Sequence, residues 1–486
     1  MIMERDDIYI NGSFEPASSA DRIPVLDPSG GCVIAHVPAC GAEDVDRAVS
    51  AARAAFDNGP WADTTGPDRA RALTRLADAL SEIEDQLAET VALEAGFAIR
   101  AALTVHVRQA IEFVRYYAEL ASGAADEEVR PGAATTARVR VRHCPVGVVA
   151  TLVPWNIPLL GALAKIAPAL AAGCTVVHKP SPETPLTSYL LADAVHKAGF
   201  PRGVVNILPA DLEGSRRLVS HPGVDMVAFT GSTAVGREIA ETCARDLRRY
   251  ALELGGNAAA ILLEDAPARL IAAGLAGTGI VMNNGEACIA QRRVLAPRSR
   301  YDEIVSLLAE AVRALPVGDP TDPKTVVGPM ITRQHRDRVL GHVQAAVTAG
   351  AVVAAGGGIP AGRDAGFFVE PTVLADVTNE MAVAREEVFG PVLCVIAYDT
   401  IDEAIAIARD TEYGLSGSVW TADPERGAEI AARLRVGSVY VNGAMSLDPA
   451  IPFGGFGQSG VGRELGPEGL DEFRETQAVF VPAAKK

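Results

Sequence analysis

Apolar positions in the first quarter of the chain recur at helical spacing. Val45, Ala48, Val49, Ala52 and Phe56 fall on one face of a stretch from Asp44 to Phe56. Two longer helices are expected after it, over about Asp68 to Glu94 and Ala101 to Ala121, so the first ~120 residues read as mostly helical. Between Ser122 and Ala137 the sequence turns to Gly, Ala, Asp, Glu, Pro and Thr, which reads as a connection. Arg138 to Arg142 then alternates strictly between arginine and valine, the pattern of a strand with one wet face, and looks like an arm leaving the body.

From there the pattern becomes strand, helix, strand, helix. Strands are expected at Val146–Val153, Thr175–His178, Val204–Leu208, Met226–Thr230 and Ala251–Leu254, with helices over Leu159–Ala172 and about Thr187–Ala198. A second series runs from Ala258 to about Val441. Its strands fall at Ala258–Leu263, Val294–Ala296, Ala351–Ala355 and Val392–Tyr398, with helices such as Tyr301–Ala314 between them. Alternation of this kind implies parallel sheets with helices on both faces. The tail, Phe473 to Val481, reads as extended. From Cys144 to Ala164 there is no charged residue, about the length that crosses a bilayer. Pro154, Trp155, Asn156 and Pro158 interrupt it, and a spanning helix broken there would lose backbone hydrogen bonds, so a core strand, a loop and a helix are expected.

Composition narrows the class. At 486 residues the chain exceeds one compact core and fits two or three domains. A 49% hydrophobic and 22% charged composition is ordinary for a globular protein. The net charge of −17, from 44 basic and 61 acidic residues with no basic stripe, argues against a nucleic-acid partner. Acidic residues at the N-terminus replace the apolar run of a signal peptide. The seven cysteines are scattered, with no C-x-x-C and no clustered histidines, so no metal site or disulfide framework is expected, and a reducing cytoplasm is.

Six features carry candidate chemistry, each with a bland alternative. Gly455-Phe456-Gly457-Gln458-Ser459-Gly460 matches a dinucleotide fingerprint letter for letter, but too little chain follows for a strand–loop–helix–strand unit. Gly231-Ser232-Thr233-Ala234-Val235-Gly236 lacks that spacing yet follows an apolar strand and opens a helix. It is either a phosphate cradle or an ordinary capped turn. Lys179, after a strand, lies where parallel sheets bind ligands, or is a solvated lysine. Cys288, in Asn283-Asn284-Gly285-Glu286-Ala287-Cys288, is a carbonyl nucleophile or a small core residue. Glu253, ending an apolar strand before two glycines, is a general base or a strand-end charge. Asn156, between Trp155 and Ile157, can donate an amide hydrogen to an oxyanion, or make a turn.

Those segments occur in order with Lys179-Pro180-Ser181, Phe229-Thr230-Gly231-Ser232-Thr233, Leu252-Glu253-Leu254-Gly255-Gly256, Glu387-Val388-Phe389-Gly390-Pro391 and Pro452-Phe453-Gly454-Gly455. Together they resemble the aldehyde dehydrogenase superfamily, from about Tyr9 to Val481. The resemblance implies an α/β fold with two doubly wound parallel-sheet domains and a small β oligomerisation arm. The cofactor-binding domain would comprise 1–122 and 145–253, the catalytic domain 254–454, and the arm with the C-terminal segment 123–144 and 455–486. It also implies oxidation of an aldehyde to a carboxylic acid through a thiohemiacetal and thioester on Cys288. The oxyanion would be held by Asn156 and the Cys288 backbone N–H, and water activated by Glu253 would release the acid. Cofactor contacts carry over to Val153, Pro154, Trp155, Lys179, Ser181, Pro182, Glu183, Phe229, Gly231, Ser232, Val235, Leu254, Gly255, Glu387 and Phe389. A homodimer or homotetramer is expected.

Three departures refine this expectation. Pro182 stands where NAD-preferring members often carry an acid, with Glu183 one step later. NAD is therefore expected, and NADP remains admissible. Val281 stands where an aromatic is common, and Gly161 and Ala164 where bulkier residues often narrow the substrate tunnel. A roomy apolar entrance is expected, lined by Ile157, Leu160, Gly161, Ala164, Val281, Ala287, Ile289, Leu447 and Phe453, for a bulky or hydrophobic aldehyde. The alternatives are a coenzyme-A-acylating relative, which would usually lack Glu253, a non-catalytic cofactor-binding relative, and a cysteine hydrolase, which would need a histidine partner for the thiol.

Overall fold

The structure is a computed structural model describing residues 3–123, 126–134, 137–443 and 447–482. The strand expected around Val146–Val153 forms over Val148–Leu152. Its side chains alternate between two apolar layers. Val149 joins a core built with helices Gly66–Ser81, Gln109–Gly123, Pro158–Ala172 and Leu186–Ala198. Val148, Ala150 and Leu152 face the opposite layer, with helices Ala42–Asn58, Leu212–Ser220 and Thr233–Arg245. Burial on both faces is why the strand reads as a continuous apolar run rather than an alternating one. Leu163 in the first layer is fully buried; truncating such a leucine to alanine costs about 2–5 kcal/mol.

Five parallel strands form the middle of an eight-stranded sheet, in the spatial order Arg249–Glu253, Met226–Thr230, Val148–Leu152, Thr175–Lys179, Val205–Ile207. The chain runs outward from Val148–Leu152 in one direction, then returns to build the other side, so a switch point lies between Val148–Leu152 and Met226–Thr230. A seven-stranded sheet is parallel except for its edge strand Val352–Ala355. It runs Val352–Ala355, Thr372–Ala375, Val392–Tyr398, Gln291–Pro297, Ala258–Leu262, Ser416–Trp420, Ser438–Val441. A third sheet pairs Arg138–Pro145 antiparallel with both Arg474–Val481 and Glu127–Pro131. Among the described residues no helix is long and apolar enough to cross a membrane.

Several sequence expectations need correction. The N-terminal quarter also holds strands Asp7–Ile10, Ser13–Pro16, Arg22–Asp27 and Cys32–Pro38. Asp7–Ile10 and Ser13–Pro16 are four residues each around the Asn11-Gly12 turn, and Arg22–Asp27 and Cys32–Pro38 lack a strict alternation of apolar and polar residues. The helix expected over Asp68–Glu94 is two, Gly66–Ser81 and Glu84–Ala95, because Ile83 leaves helical geometry at φ −120°, ψ 21°. Its start is fixed by a capping box between Thr65 and Asp68 with a proline in the first turn. Ala102–Arg108, in the next helix, is wound as a π-helix. Within the connection expected over Ser122–Ala137, Glu127–Pro131 is a strand. Its charges face solvent on both sides, so it has no alternating signature and is defined by pairing, including the Glu127–Arg140 ion pair at 2.6 Å. Residues 124–125 and 135–136 of that connection lie outside the described residues.

Candidate active site

Cys288 follows a turn that few sequences can adopt. The helix Ala268–Leu275 loosens into a π-helix over Ala276–Val281, after which Asn283, Asn284 and Gly285 are all left-handed, at φ 49°, 55° and 76°. Left-handed geometry costs a non-glycine residue roughly 1–2 kcal/mol, least for asparagine, so this turn requires outside support. Asn284 Nδ2 donates to Gly96 O at 2.9 Å and Pro329 O at 3.0 Å, and its Oδ1 accepts from Gly328 N at 2.7 Å. Asn283 Nδ2 donates to Asn156 O at 2.9 Å, while its Oδ1 lies 3.0 Å from His106 Nε2. Because Oδ1 can only accept, His106 carries its proton on Nε2, leaving Nδ1 a buried acceptor without a partner among the described residues. Gly285 cannot be replaced: a Cβ there would stand 2.3 Å from the Gly390 backbone.

Asn156 lies in the loop between Val148–Leu152 and Pro158–Ala172 and is buried. One of its amide hydrogens is donated to Glu286 O at 2.8 Å. Glu253 ends the strand Arg249–Glu253, is 4% exposed, and has no partner for Oε2 among the described residues. Burial, then the charge of Glu464, hold its carboxyl well above the usual range, opposed by Lys165 and Arg463. Lys165 donates to Thr230 Oγ1 at 2.6 Å and also bonds Glu464. The Cys288 thiol, half-buried, is pushed up to about 12 by desolvation, then by Glu387 and Glu253, with Arg292 opposing.

Cys288, Glu253 and Asn156 border one cavity of about 360 Å³. All nine residues expected at the substrate entrance, Ile157, Leu160, Gly161, Ala164, Val281, Ala287, Ile289, Leu447 and Phe453, line it too. Sequence reasoning missed the opposite wall, where Val105, His106, Gln109 and Phe113 project from the helical segment that includes the π-helix. Nothing local marks those residues as a wall. Lys165 did leave a signal: it is the one charge in the wholly buried helix Pro158–Ala172, and a buried lysine needs a partner.

The residues assigned to a cofactor lie mostly at the strand ends beside this cavity. Val153, Pro154 and Trp155 leave one strand of the switch point and Gly231 and Ser232 the other, where open α/β sheets bind ligands. Ser232 caps helix Thr233–Arg245 by accepting from Val235 N at 3.4 Å, and Val235 is exposed. Gly231 lies against the Phe229 ring, which a Cβ would meet at 2.3 Å, and Leu254 fills the space beside Gly236. Lys179 is buried at the end of Thr175–Lys179, and burial brings its ammonium down to about 8 against the pull of Glu183. It has no hydrogen-bond or ion-pair partner among the described residues. Ser181 Oγ donates to Glu183, with Pro182 between them. Glu387 Oε1 accepts from Gly256 N at 2.9 Å, and a Cβ on Gly255 would approach Glu387 Oε2 to 2.6 Å. Phe389, itself left-handed at φ 57°, forms an aromatic cluster with Trp155 and His335 at centroid distances of 5.5 and 6.1 Å.

The fingerprint at Gly455–Gly460 lacks the setting of a phosphate loop. A 3-10 turn over Gly457–Ser459 runs into Gly460–Val461, which pairs antiparallel with Arg249–Glu253, and Ser459 Oγ donates to Gly255 O at 2.7 Å. It braces the strand that carries Glu253.

Two doubly wound sheets, a crevice at the switch point of one, and a cysteine-bearing cavity beside it define a class of protein, and comparison with known proteins identifies it. A sequence profile of the aldehyde dehydrogenase family matches residues 14–479, and the chain belongs to that family. Geranial dehydrogenase of Castellaniella defragrans is 46% identical over 481 residues, covering 99% of this chain and 100% of that protein. A crystal structure of Mycobacterium tuberculosis aldehyde dehydrogenase complexed with NAD+ matches with a TM-score of 0.97 and 44% identity, covering 100% of both chains. A mutant of aldehyde dehydrogenase C from Pseudomonas syringae, solved with NAD+ and octanal, matches with a TM-score of 0.94 and 40% identity, covering 99% of this chain and 98% of that one.

Proposed function

We propose that the chain oxidises a bulky, apolar aldehyde to its carboxylic acid with NAD as the electron acceptor, through a thioester on Cys288. The observation that carries this reading is the single cavity shared by Cys288, Glu253, Asn156 and the nine apolar or small residues of the entrance. A site of this make-up binds by burying apolar surface, roughly 25 cal/mol per Å², and selects by size. The relatives named for geranial and solved with octanal handle aldehydes of that character.

The residues present fit a dinucleotide. Lys179, buried and unpartnered, and the capped helix start at Ser232 can take its hydroxyl and phosphate oxygens. Gly231 and Gly255 leave room that a side chain would fill. Glu183, close enough to Lys179 to act on its charge, favours ribose hydroxyls over a 2′-phosphate, hence NAD over NADP.

Cys288 sulfur, once deprotonated, adds to the aldehyde carbon. The oxygen that gains the charge is held by the second Asn156 amide hydrogen and the Cys288 backbone N–H. When bound, the oxidised nicotinamide supplies the hydride acceptor that turns this adduct into a thioester. Glu253, as carboxylate, takes a proton from water, the resulting hydroxide adds to the thioester carbon, and the acid leaves as the thiolate is restored. A base lining the cysteine's own cavity favours hydrolysis over transfer to coenzyme A. We further read the eight-stranded sheet with its helices as the cofactor domain, the seven-stranded sheet as the catalytic domain, and the antiparallel sheet as an arm pairing subunits in a homodimer or homotetramer.

The test is formation of reduced nicotinamide with NAD or NADP across aldehydes graded from acetaldehyde to long-chain and terpenoid ones. The expected result is a preference for NAD and for the larger apolar aldehydes, with activity absent in Cys288→Ala. Turnover confined to small charged aldehydes overturns the substrate assignment, and activity that survives Cys288→Ala overturns the mechanism.

A further inference from the structure

A buried cation beneath the cysteine turn has no part in the steps above. Arg292, in the strand Gln291–Pro297, is 1% exposed. Its Nη2 donates to Gly285 O at 2.6 Å and to Ala287 O at 3.1 Å, while Nε and Nη1 have no hydrogen-bond partner among the described residues. Cζ lies 5.5 Å from the centroid of the Phe389 ring, and no carboxylate is within ion-pair distance among the described residues. A guanidinium keeps its proton even when desolvated, so this is a permanent charge without an ion pair at contact distance among the described residues. Glu387 is the first group whose charge acts on it, and Cys288 is the next. Two backbone carbonyls and one aromatic face leave it free to act on an anion formed at Cys288.

We infer that Arg292 is a positioning residue for the nucleophile: it pins the Gly285 and Ala287 carbonyls that shape the Cys288 turn, and its charge stabilises the Cys288 thiolate once formed. The inference rests on the reading of Cys288 as the nucleophile. Apart from the Cys288 backbone N–H, the other groups facing that sulfur are unfavourable to a thiolate. Glu387 and Glu253 both push the thiol up, and Arg292 is the cation that opposes them. The remaining groups add no positive charge at the sulfur. Burial holds the Glu286 carboxyl well above its usual range, and His335 and His106 are each brought down to about 4 by burial and stay neutral. Lys165 is engaged by Glu464 and Thr230, and Cys394 is a buried thiol pushed up to about 12. Arg338 acts on Glu387 and His335 from the helix Arg333–Thr348.

Charge and scaffold make opposite predictions, which makes the inference testable. Loosening the turn would expose the sulfur to water and make the thiol more acidic. Removing a stabilising charge makes it less acidic. The experiment follows carbamidomethylation of Cys288 by iodoacetamide, in which the thiolate displaces iodide, read on the Cys288 peptide by mass spectrometry from neutral to alkaline pH. It uses the wild type, Arg292→Met, Arg292→Gln and Arg292→Lys, with melting curves alongside. Gln keeps a donor for the two carbonyls without the charge, and remains informative if the Met protein does not fold. In Arg292→Met and Arg292→Gln the rate at a fixed neutral pH is expected to fall about tenfold, equal to about one unit in thiol pKa, and in Arg292→Lys to recover most of that loss. An unchanged or faster rate in Arg292→Gln overturns the electrostatic role. Because the readout needs no turnover, it is separate from the failure of Cys288 as nucleophile, which aldehyde oxidation by Cys288→Ala would reveal.

Discussion

The two sides of Cys288 are built by different means. The cofactor side is assembled from the ends of neighbouring parallel strands. Val153–Trp155, Lys179, Gly231–Ser232 and Glu253 each follow or end a strand of one sheet, so a short run of sequence fixes both their identity and their place. The aldehyde side is a cavity lined by residues from Ala101 to Leu465, gathered from helices, loops and the C-terminal region. Lys179 and Glu253 on the first side are buried while Ser232 is exposed at a helix start, whereas the cavity wall is largely apolar. On the proposed reading, one ligand would be recognised by fixed hydrogen bonds and charge, and the other by volume. The first would then tolerate little change, while the second would be retuned by a single side chain.

The largest effect is expected where the two sides meet. Glu253→Gln keeps the shape of the site and removes its proton acceptor, so steady-state kcat should fall about 10²–10³-fold. A single burst of reduced nicotinamide should persist, because acylation precedes the step that needs Glu253. Wild-type turnover should rise with pH as the raised carboxyl of Glu253 loses its proton, and that limb should be missing in the variant. Rapid-mixing kinetics across pH reads both, and loss of the burst would place Glu253 in thiol activation instead.

On the cofactor side alone, Lys179→Met removes a buried charged donor worth about 1.5–3 kcal/mol, so Kd for NAD should rise roughly 10–100-fold. KM for the aldehyde should stay within about twofold, because the cavity is untouched. The Lys179 ammonium sits at about 8 rather than in the ordinary lysine range, being charged below that value and neutral above it. NAD affinity of the wild type should therefore weaken as pH rises through about 8, a dependence the variant lacks. Calorimetric titration at several pH values checks it.

The smallest effect is a change of preference. Ala164→Phe fills part of the cavity, so kcat/KM for long or branched aldehydes should drop about tenfold relative to acetaldehyde, with the Kd for NAD unchanged. An equal loss for all aldehydes would mean that volume is not what selects the substrate.

Legibility followed the same division. Met226–Thr230 and Val392–Tyr398 were readable to the residue because each is buried on both faces and bounded by loops. Glu127–Pro131 was not, since only its pairing with Arg138–Pro145 makes it a strand. The break at Ile83 and the π-helix at Ala102–Arg108 were also hidden, because a change of helical winding leaves the apolar spacing nearly intact. At the candidate site, Cys288, Glu253 and Asn156 each kept a bland alternative when read alone, and only the ordered set of motifs singled them out; the structure brings the three to one cavity. His106 and the Val105–Phe113 wall were not legible, because a helix residue facing a cavity looks like one facing the core, and Arg292 was not, because the carbonyls it meets are set by the fold of the Cys288 turn.

The sequence by itself determined the alternation of buried strands and helices, the acidic balance of the chain and the ordered motifs at strand ends, all of which depend on neighbours within a few residues. Tertiary structure decided which helix closes the aldehyde cavity, which carbonyls Arg292 holds, and how much each carboxyl and thiol is desolvated. Those depend on burial and on charges brought together from distant parts of the chain, and Coulomb and desolvation energies are set by distance in space, not by separation in sequence.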